Sequence, residues 1–99
     1  MVRHIVSWNF LPELTQEERQ TAKEILVPRI NALQELIPCA LVVKAICPPL
    51  DSSNCDLVLY SEVAQADHLP LYQNHPEHQA IIPLIHQYLC DRRCCDIEE

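Results

Sequence analysis

The sequence predicts an α+β domain in the order β-α-β-β-α-β, with a four-stranded antiparallel sheet and both helices on one face. Three observations predict it. Four stretches read as strands by alternation or by β-rich apolar runs. Two longer stretches repeat apolar residues every three or four positions, as amphipathic helices do. Their order along the chain is that of the split βαβ, or ferredoxin-like, arrangement.

The first strand is "VRHIVSWNF" (2–10). Val2, His4, Val6, Trp8 and Phe10 point one way and Arg3, Ile5, Ser7 and Asn9 the other, so a histidine sits on a mostly apolar face. Pro12 ends the strand. "TQEE" (15–18) fits a capping box, with Thr15 and Glu18 satisfying each other's backbone amides. The helix that follows reaches about Leu36 and buries Ala22, Ile25, Leu26, Ile30, Leu33 and Leu36/Ile37. Pro28 lies inside it and predicts a kink rather than two helices, because the apolar stripe continues across it.

Pro38 closes the helix. "ALVVKAIC" (40–47) is the second strand, and "PPLDSSNC" (48–55) is turn chemistry. In "DLVLYSEV" (56–63), the third strand, Leu57, Leu59, Ser61 and Val63 share one face. "QADHLPLYQN" (65–74) predicts a short irregular helix. Pro76 then opens a helix to Leu89, with Ile81, Ile82, Ile85 and Leu89 buried and Pro83 distorting it. "DRRCCDIE" (91–98) is the fourth strand.

The chain of 99 residues makes a single domain, 1–99. Its composition is 48% hydrophobic, more than one small core can use. The surplus falls on the sheet face left bare by the helices. Two such faces packed together would close a barrel-like homodimer.

The charge balance is 14 acidic against 7 basic residues, net −7. It offers no basic stripe for nucleic acid and disfavours anionic membranes. No segment nears the roughly 18 apolar residues of a membrane span. "MVRHIVSWNF" lacks a signal-peptide layout, so a cytoplasmic protein is expected, with its six cysteines as thiols. Glycine is absent, which removes glycine-rich phosphate loops and dinucleotide fingerprints.

Candidate chemistry gathers in "LPLYQNHPEHQAI" (69–81). One reading is structural: His75 precedes the helix, Pro76 takes its first position, His78 its first turn, and Tyr72 packs at the joint. A catalytic reading starts from His78 at the positive end of the helix dipole, where the neutral imidazole is favoured. Such an imidazole can take a proton from carbon beside a carbonyl, while a phenol donates to the forming enolate. His4 could orient one of them, and Glu77 points elsewhere.

A metal reading would pair His75 with His78, with His4 completing three ligands, but Pro76 bends the start of this segment and no further ligand is evident, so no metal site is expected. Cys90, Cys94 and Cys95 resemble a metal cluster, yet Cys94 and Cys95 fall on opposite faces of a strand. Buried thiols packing as small apolar side chains are the expectation for the cysteines. His68 and His86 are expected at the surface or its boundary, and Trp8 in core or dimer packing.

The opening "RHIV…F", the strand "DLVLYSEV" and the element "L…YQNHPEHQAI" resemble the stress-responsive A/B-barrel (Dabb) family, over nearly the whole chain and in the same order. The resemblance implies a dimeric α+β barrel. The family includes plant stress proteins, bacterial proteins of unknown role and a plant polyketide cyclase that forms olivetolic acid. In that cyclase a tyrosine and a histidine of this element act in an aldol cyclisation, and a first-strand histidine lines the pocket. The matching positions are Tyr72, His78 and His4. Two departures argue against a long polyketide pocket: "CDLVLY" brings no histidine, and Pro38-Cys39 stands where relatives have Pro-Gly.

Two functions follow as expectations. One is a cofactor-free proton-transfer enzyme, an isomerase or aldol-type cyclase on a small carbonyl compound, with His78 as base, Tyr72 as donor and His4 orienting. The other is a non-catalytic stress-related protein holding a small hydrophobic ligand between sheet and helices.

Overall fold

The computed structural model describes residues 1–99. Its elements are β1 (Val2–Phe10), α1 (Gln16–Leu36), β2 (Val42–Ile46), β3 (Leu57–Val63), α2 (His68–Gln73), α3 (Pro76–Tyr88) and β4 (Leu89–Glu98). The strands form one antiparallel sheet in the order β2-β3-β1-β4. This is the ferredoxin-like architecture that the sequence predicts, with α2 as a short addition before α3. No helix is long and apolar enough to cross a membrane.

Local chemistry sets the boundaries. The Thr15 hydroxyl accepts from the Glu18 amide at 3.1 Å, and the Glu18 carboxylate accepts from the Thr15 amide at 2.9 Å. That is the capping box read from the sequence. The helix α1 is a single element that passes through Pro28. Pro28 is exposed, so its missing N–H leaves no buried acceptor stranded. Pro83 is likewise exposed within α3. The strand β2 is shorter than 40–47, because Ala40 closes a turn by donating to the Ile37 carbonyl at 3.0 Å.

The core lies between the sheet and the α1/α3 layer. Ala22, Leu26, Ile30 and Leu33 from α1, with Ile37 just after it, meet Ile81 and Ile85 from α3. Beneath them lie Val6 and Trp8 of β1, Leu57, Leu59 and Val63 of β3, and Val43 and Ala45 of β2. Leu36 departs from the expected stripe and is exposed.

The two sheet edges differ. At β2, the free amides of Val43 and Ala45 donate to the side chains of Gln34 (2.9 Å) and Asn31 (2.8 Å) of α1. Those bonds cover an edge that could otherwise recruit another strand. β4 forms the other edge, and every residue from Asp91 onward is exposed.

A β-bulge governs β4. Asn9 pairs with Cys90 and Ser7 with Arg93, so Asp91 and Arg92 together oppose Trp8. Asp91 takes φ 55°, a left-handed conformation that Asp tolerates better than most residues. The extra residue reverses the alternation downstream. Cys94 and Asp96 therefore share the helix-facing side with Val6 and His4, and Cys95 and Ile97 the open side with Ile5 and Arg3.

That open face carries Ile5, Val42, Ile46, Val58 and Tyr60, all half-buried, together with Ile97. The expectation of buried thiols is corrected for Cys94 and Cys95. All six are free thiols; Cys94 and Cys95 are exposed and none is fully buried. Cys39 and Cys47 still pack half-buried against the core, whereas Cys94 and Cys95 lie on β4.

Candidate functional site

Three elements bring the site together. Alternation in β1 places His4 on the helix-facing side, where it is 2% exposed. The imidazole of His75 caps α3 by accepting at Nδ1 from the Glu77 amide, 3.1 Å away. Pro76 then occupies the first helical position and His78 the third. Ile81 and Ile85, three and seven residues on, are buried, so His78 is carried on the same inward face. The short helix α2 delivers Tyr72, fully buried, between the two histidines.

The three rings form a contiguous row. Tyr72 stands edge-on to His4 with centroids 5.9 Å apart, and edge-on to His78 with centroids 4.9 Å apart. The Tyr72 hydroxyl and His78 Nδ1 are buried and have no hydrogen-bond partner within the protein. Unpaired buried polar groups cost about 1–3 kcal/mol each; the Ser61 hydroxyl near Tyr72 and the Gln73 backbone near His78 are the closest protein groups that could offset that cost.

Burial pushes the Tyr72 hydroxyl up to about 12, and the nearby Ser61 hydroxyl offsets part of that rise. His78 is held below its ordinary value, first by burial, then by His4, with the Gln73 backbone opposing the shift and Arg92 adding to it. The neutral imidazole expected from the sequence is therefore favoured, with desolvation as the largest cause.

His4 and His78 open onto a cavity of about 500 Å³ between sheet and helices. That volume suits a small organic molecule. Eight of its fourteen lining residues are hydrophobic, among them Trp8, Leu33, Leu59 and Ile81, so its wall favours an apolar guest. Gln79, His86 and Arg92 are exposed and form its polar rim. Tyr72 is not on this wall; it stands behind the two imidazoles. Trp8 is core packing and cavity wall at once, and faces away from the open sheet face.

Sequence reading did not single out Asp96. His4 Nδ1 donates to Asp96 Oδ1 at 2.5 Å, and Cys94 Sγ lies 3.7 Å from the same nitrogen. Arg92 was missed for the same reason. The bulge at Asp91 decides which β4 residues face the cavity, and no local pattern announces it. His75 spends Nδ1 on the helix cap, and a three-donor grouping forms elsewhere, from His4, Cys94 and Asp96.

Fold and site together define a ferredoxin-like α+β protein with a histidine-bearing apolar cavity between sheet and helices. The chain belongs to the stress responsive A/B barrel domain family, Dabb, whose family model matches residues 2–99. No curated protein matches the sequence.

Solved structures are similar over nearly the full length. A dimeric ferredoxin-like protein of unknown function from Bacteroides fragilis has 26% identity and a TM-score of 0.89, covering 99% of this chain and 95% of that one. A Dabb family protein from Mesorhizobium loti has 16% identity and a TM-score of 0.76, covering 99% and 95%. A hydroxynitrile lyase from Passiflora edulis has 14% identity and a TM-score of 0.74, covering 99% and 94%.

Proposed function

We propose that this Dabb protein is a cytoplasmic homodimer that transfers protons on a small apolar carbonyl compound without a cofactor. The observation that carries the reading is the row His4–Tyr72–His78 beside the apolar cavity, with two of its polar atoms unpaired.

Each group has a step. Neutral His78 takes the proton from the carbon next to the carbonyl, leaving an enolate and an imidazolium. The Tyr72 hydroxyl, too weak an acid to give up its proton outright, donates a hydrogen bond to the enolate oxygen. To receive it, the ligand oxygen has to reach between the two imidazoles, where it would satisfy a donor that now has no partner. The imidazolium then returns its proton to a second carbon, completing an isomerisation. Alternatively the enolate carbon attacks another carbonyl of the same molecule, and the imidazolium protonates the new alkoxide. His4, fixed by Asp96, holds its face of Tyr72 in place as a positioning residue.

The dimer is supported by the apolar open sheet face and by similar structures described as dimeric. Free thiols agree with a reducing compartment.

The test is proton exchange. Acetophenone and acetylacetone are incubated with the protein in D2O, and loss of the α-proton signal is followed by NMR. Occupancy is followed by quenching of Trp8, the single tryptophan and a cavity residue. The reading expects enzyme-accelerated exchange that disappears in His78→Ala while quenching persists. Quenching without exchange in the wild type would instead establish the second reading, a ligand-binding protein, which the mainly hydrophobic wall of the cavity favours.

A further inference from the structure

We propose that His4, Cys94 and Asp96 form a three-donor site for a zinc-class divalent ion, on the side of the cavity where β1 meets β4. The proposal does not rest on the proton-transfer reading.

The geometry is close to that of a bound site. Cys94 Sγ lies 3.7 Å from His4 Nδ1 and 3.8 Å from Asp96 Oδ1, and His4 Nδ1 lies 2.5 Å from Asp96 Oδ1. Zinc bonds of about 2.0–2.3 Å at tetrahedral angles hold their donors roughly 3.3–3.6 Å apart. Two of the three separations already fall near that range. The third must open by about 1 Å, which is what replacing the hydrogen bond by a bridging ion would do.

The donors suit this class of ion. One imidazole nitrogen, one sulfur and one carboxylate oxygen favour zinc and its neighbours over magnesium or calcium, which prefer oxygen alone. Three protein donors leave a fourth position for water or a ligand atom.

Placement supports the same assignment. His4 is buried in the sheet, so its ring is fixed before any ion arrives. Cys94 and Asp96 are exposed on β4, which leaves an entry path. The bulge at Asp91 is what turns both of them toward His4. Cys95 pairs with Ile5 on the opposite face and cannot join. As the ion binds, the thiol proton of Cys94 passes to solvent, and His4 frees Nδ1 for the ion by carrying its single ring proton on Nε2 instead.

Cobalt(II) is titrated into the full-length, metal-free protein, and zinc affinity is then measured by competition with a chromogenic chelator. The proposal expects one ion per chain, tetrahedral d–d bands and a thiolate-to-cobalt charge-transfer band. Cys94→Ser should lose the charge-transfer band. Asp96→Asn should weaken zinc by more than the about 10–100-fold typical of outer-shell changes. Cys95→Ser and His75→Gln should match the wild type. All four altered side chains lie outside the buried core, and circular dichroism checks each fold. Binding below one ion per chain overturns the assignment, as does a charge-transfer band that survives Cys94→Ser or vanishes in Cys95→Ser.

Discussion

His4 and Asp96, 92 positions apart in the chain, are joined by a 2.5 Å contact from Nδ1 to Oδ1 across the β1–β4 ladder. The contact links an imidazole that is 2% exposed to a carboxylate that is 40% exposed. It gives the buried histidine a partner and ties the last strand to the centre of the site. Its geometry depends on the Asp91 bulge, since an unbroken alternation from Cys90 would put Asp96 on the other face.

Replacing that carboxylate separates charge from hydrogen bonding. Asp96→Asn keeps an acceptor for His4 Nδ1 and is expected to cost no more than about 1 kcal/mol, the range for a partly exposed pair. Asp96→Leu leaves the buried nitrogen unpaired and is expected to cost about 1–3 kcal/mol. Urea unfolding of the two variants measures the difference; equal losses would show that the contact contributes no specific bond.

Tyr72→Phe removes a buried hydroxyl that makes no hydrogen bond of good geometry within the protein and has only the Ser61 hydroxyl near it. Stability should hold or rise by up to about 1 kcal/mol, since the desolvation cost of that group disappears. Proton exchange on acetophenone should fall sharply while Trp8 quenching by the ketone stays. A variant destabilised by more than about 1 kcal/mol would mean that the hydroxyl already has a protein partner of the usual strength.

Much of this arrangement is legible in the sequence. The alternation of β1 and β3, the Thr15–Glu18 capping box and the His75-Pro76 entry to α3 are local signals, and each forms as read. They are enough to place His4 and His78 facing the core. Asp96, Cys94 and Arg92 are not legible, because their facing depends on a bulge and on pairing with a strand at the far end of the chain. The Cys94 and Cys95 thiols were misread because cysteine is usually buried, whereas β4 extends past the helices that would cover it.

The histidine that burial holds neutral gives stability a definite pH dependence. The unfolded chain takes up a proton at His78 near its ordinary value of 6.5, and the folded chain only at lower pH. Between the two values the unfolded state binds more protons, so stability falls as pH drops through that window. Above it both states are neutral and His78 contributes no slope. Wild type should therefore lose more stability than His78→Gln between about pH 7 and pH 5. Parallel urea midpoints for the two proteins over that range would contradict the assigned burial effect. Proton-exchange rates should follow the same direction, holding above the window and declining below it.

The open sheet face leads to the last prediction. Val58 pairs with Ser7 on one side and Ile46 on the other, so it lies in the interior of that face rather than at either edge. Its half-buried neighbours Ile5, Ile46 and Tyr60 make an apolar patch across three strands, with Ser7 and Lys44 at its sides. A second copy of the chain would cover it by stacking sheet on sheet, about 10 Å apart. Val58→Glu would then place a carboxylate in the centre of a dry interface, where an unpaired charge is strongly disfavoured. The protomer's own core lies on the other side of the sheet and should be untouched. Native mass spectrometry, with a chain mass of 11.4 kDa, should show a wild-type dimer and a folded Val58→Glu monomer. A variant that remains dimeric would place the interface elsewhere, with the exposed β4 edge as the next surface to probe. A wild-type monomer would mean that this face stays open to solvent.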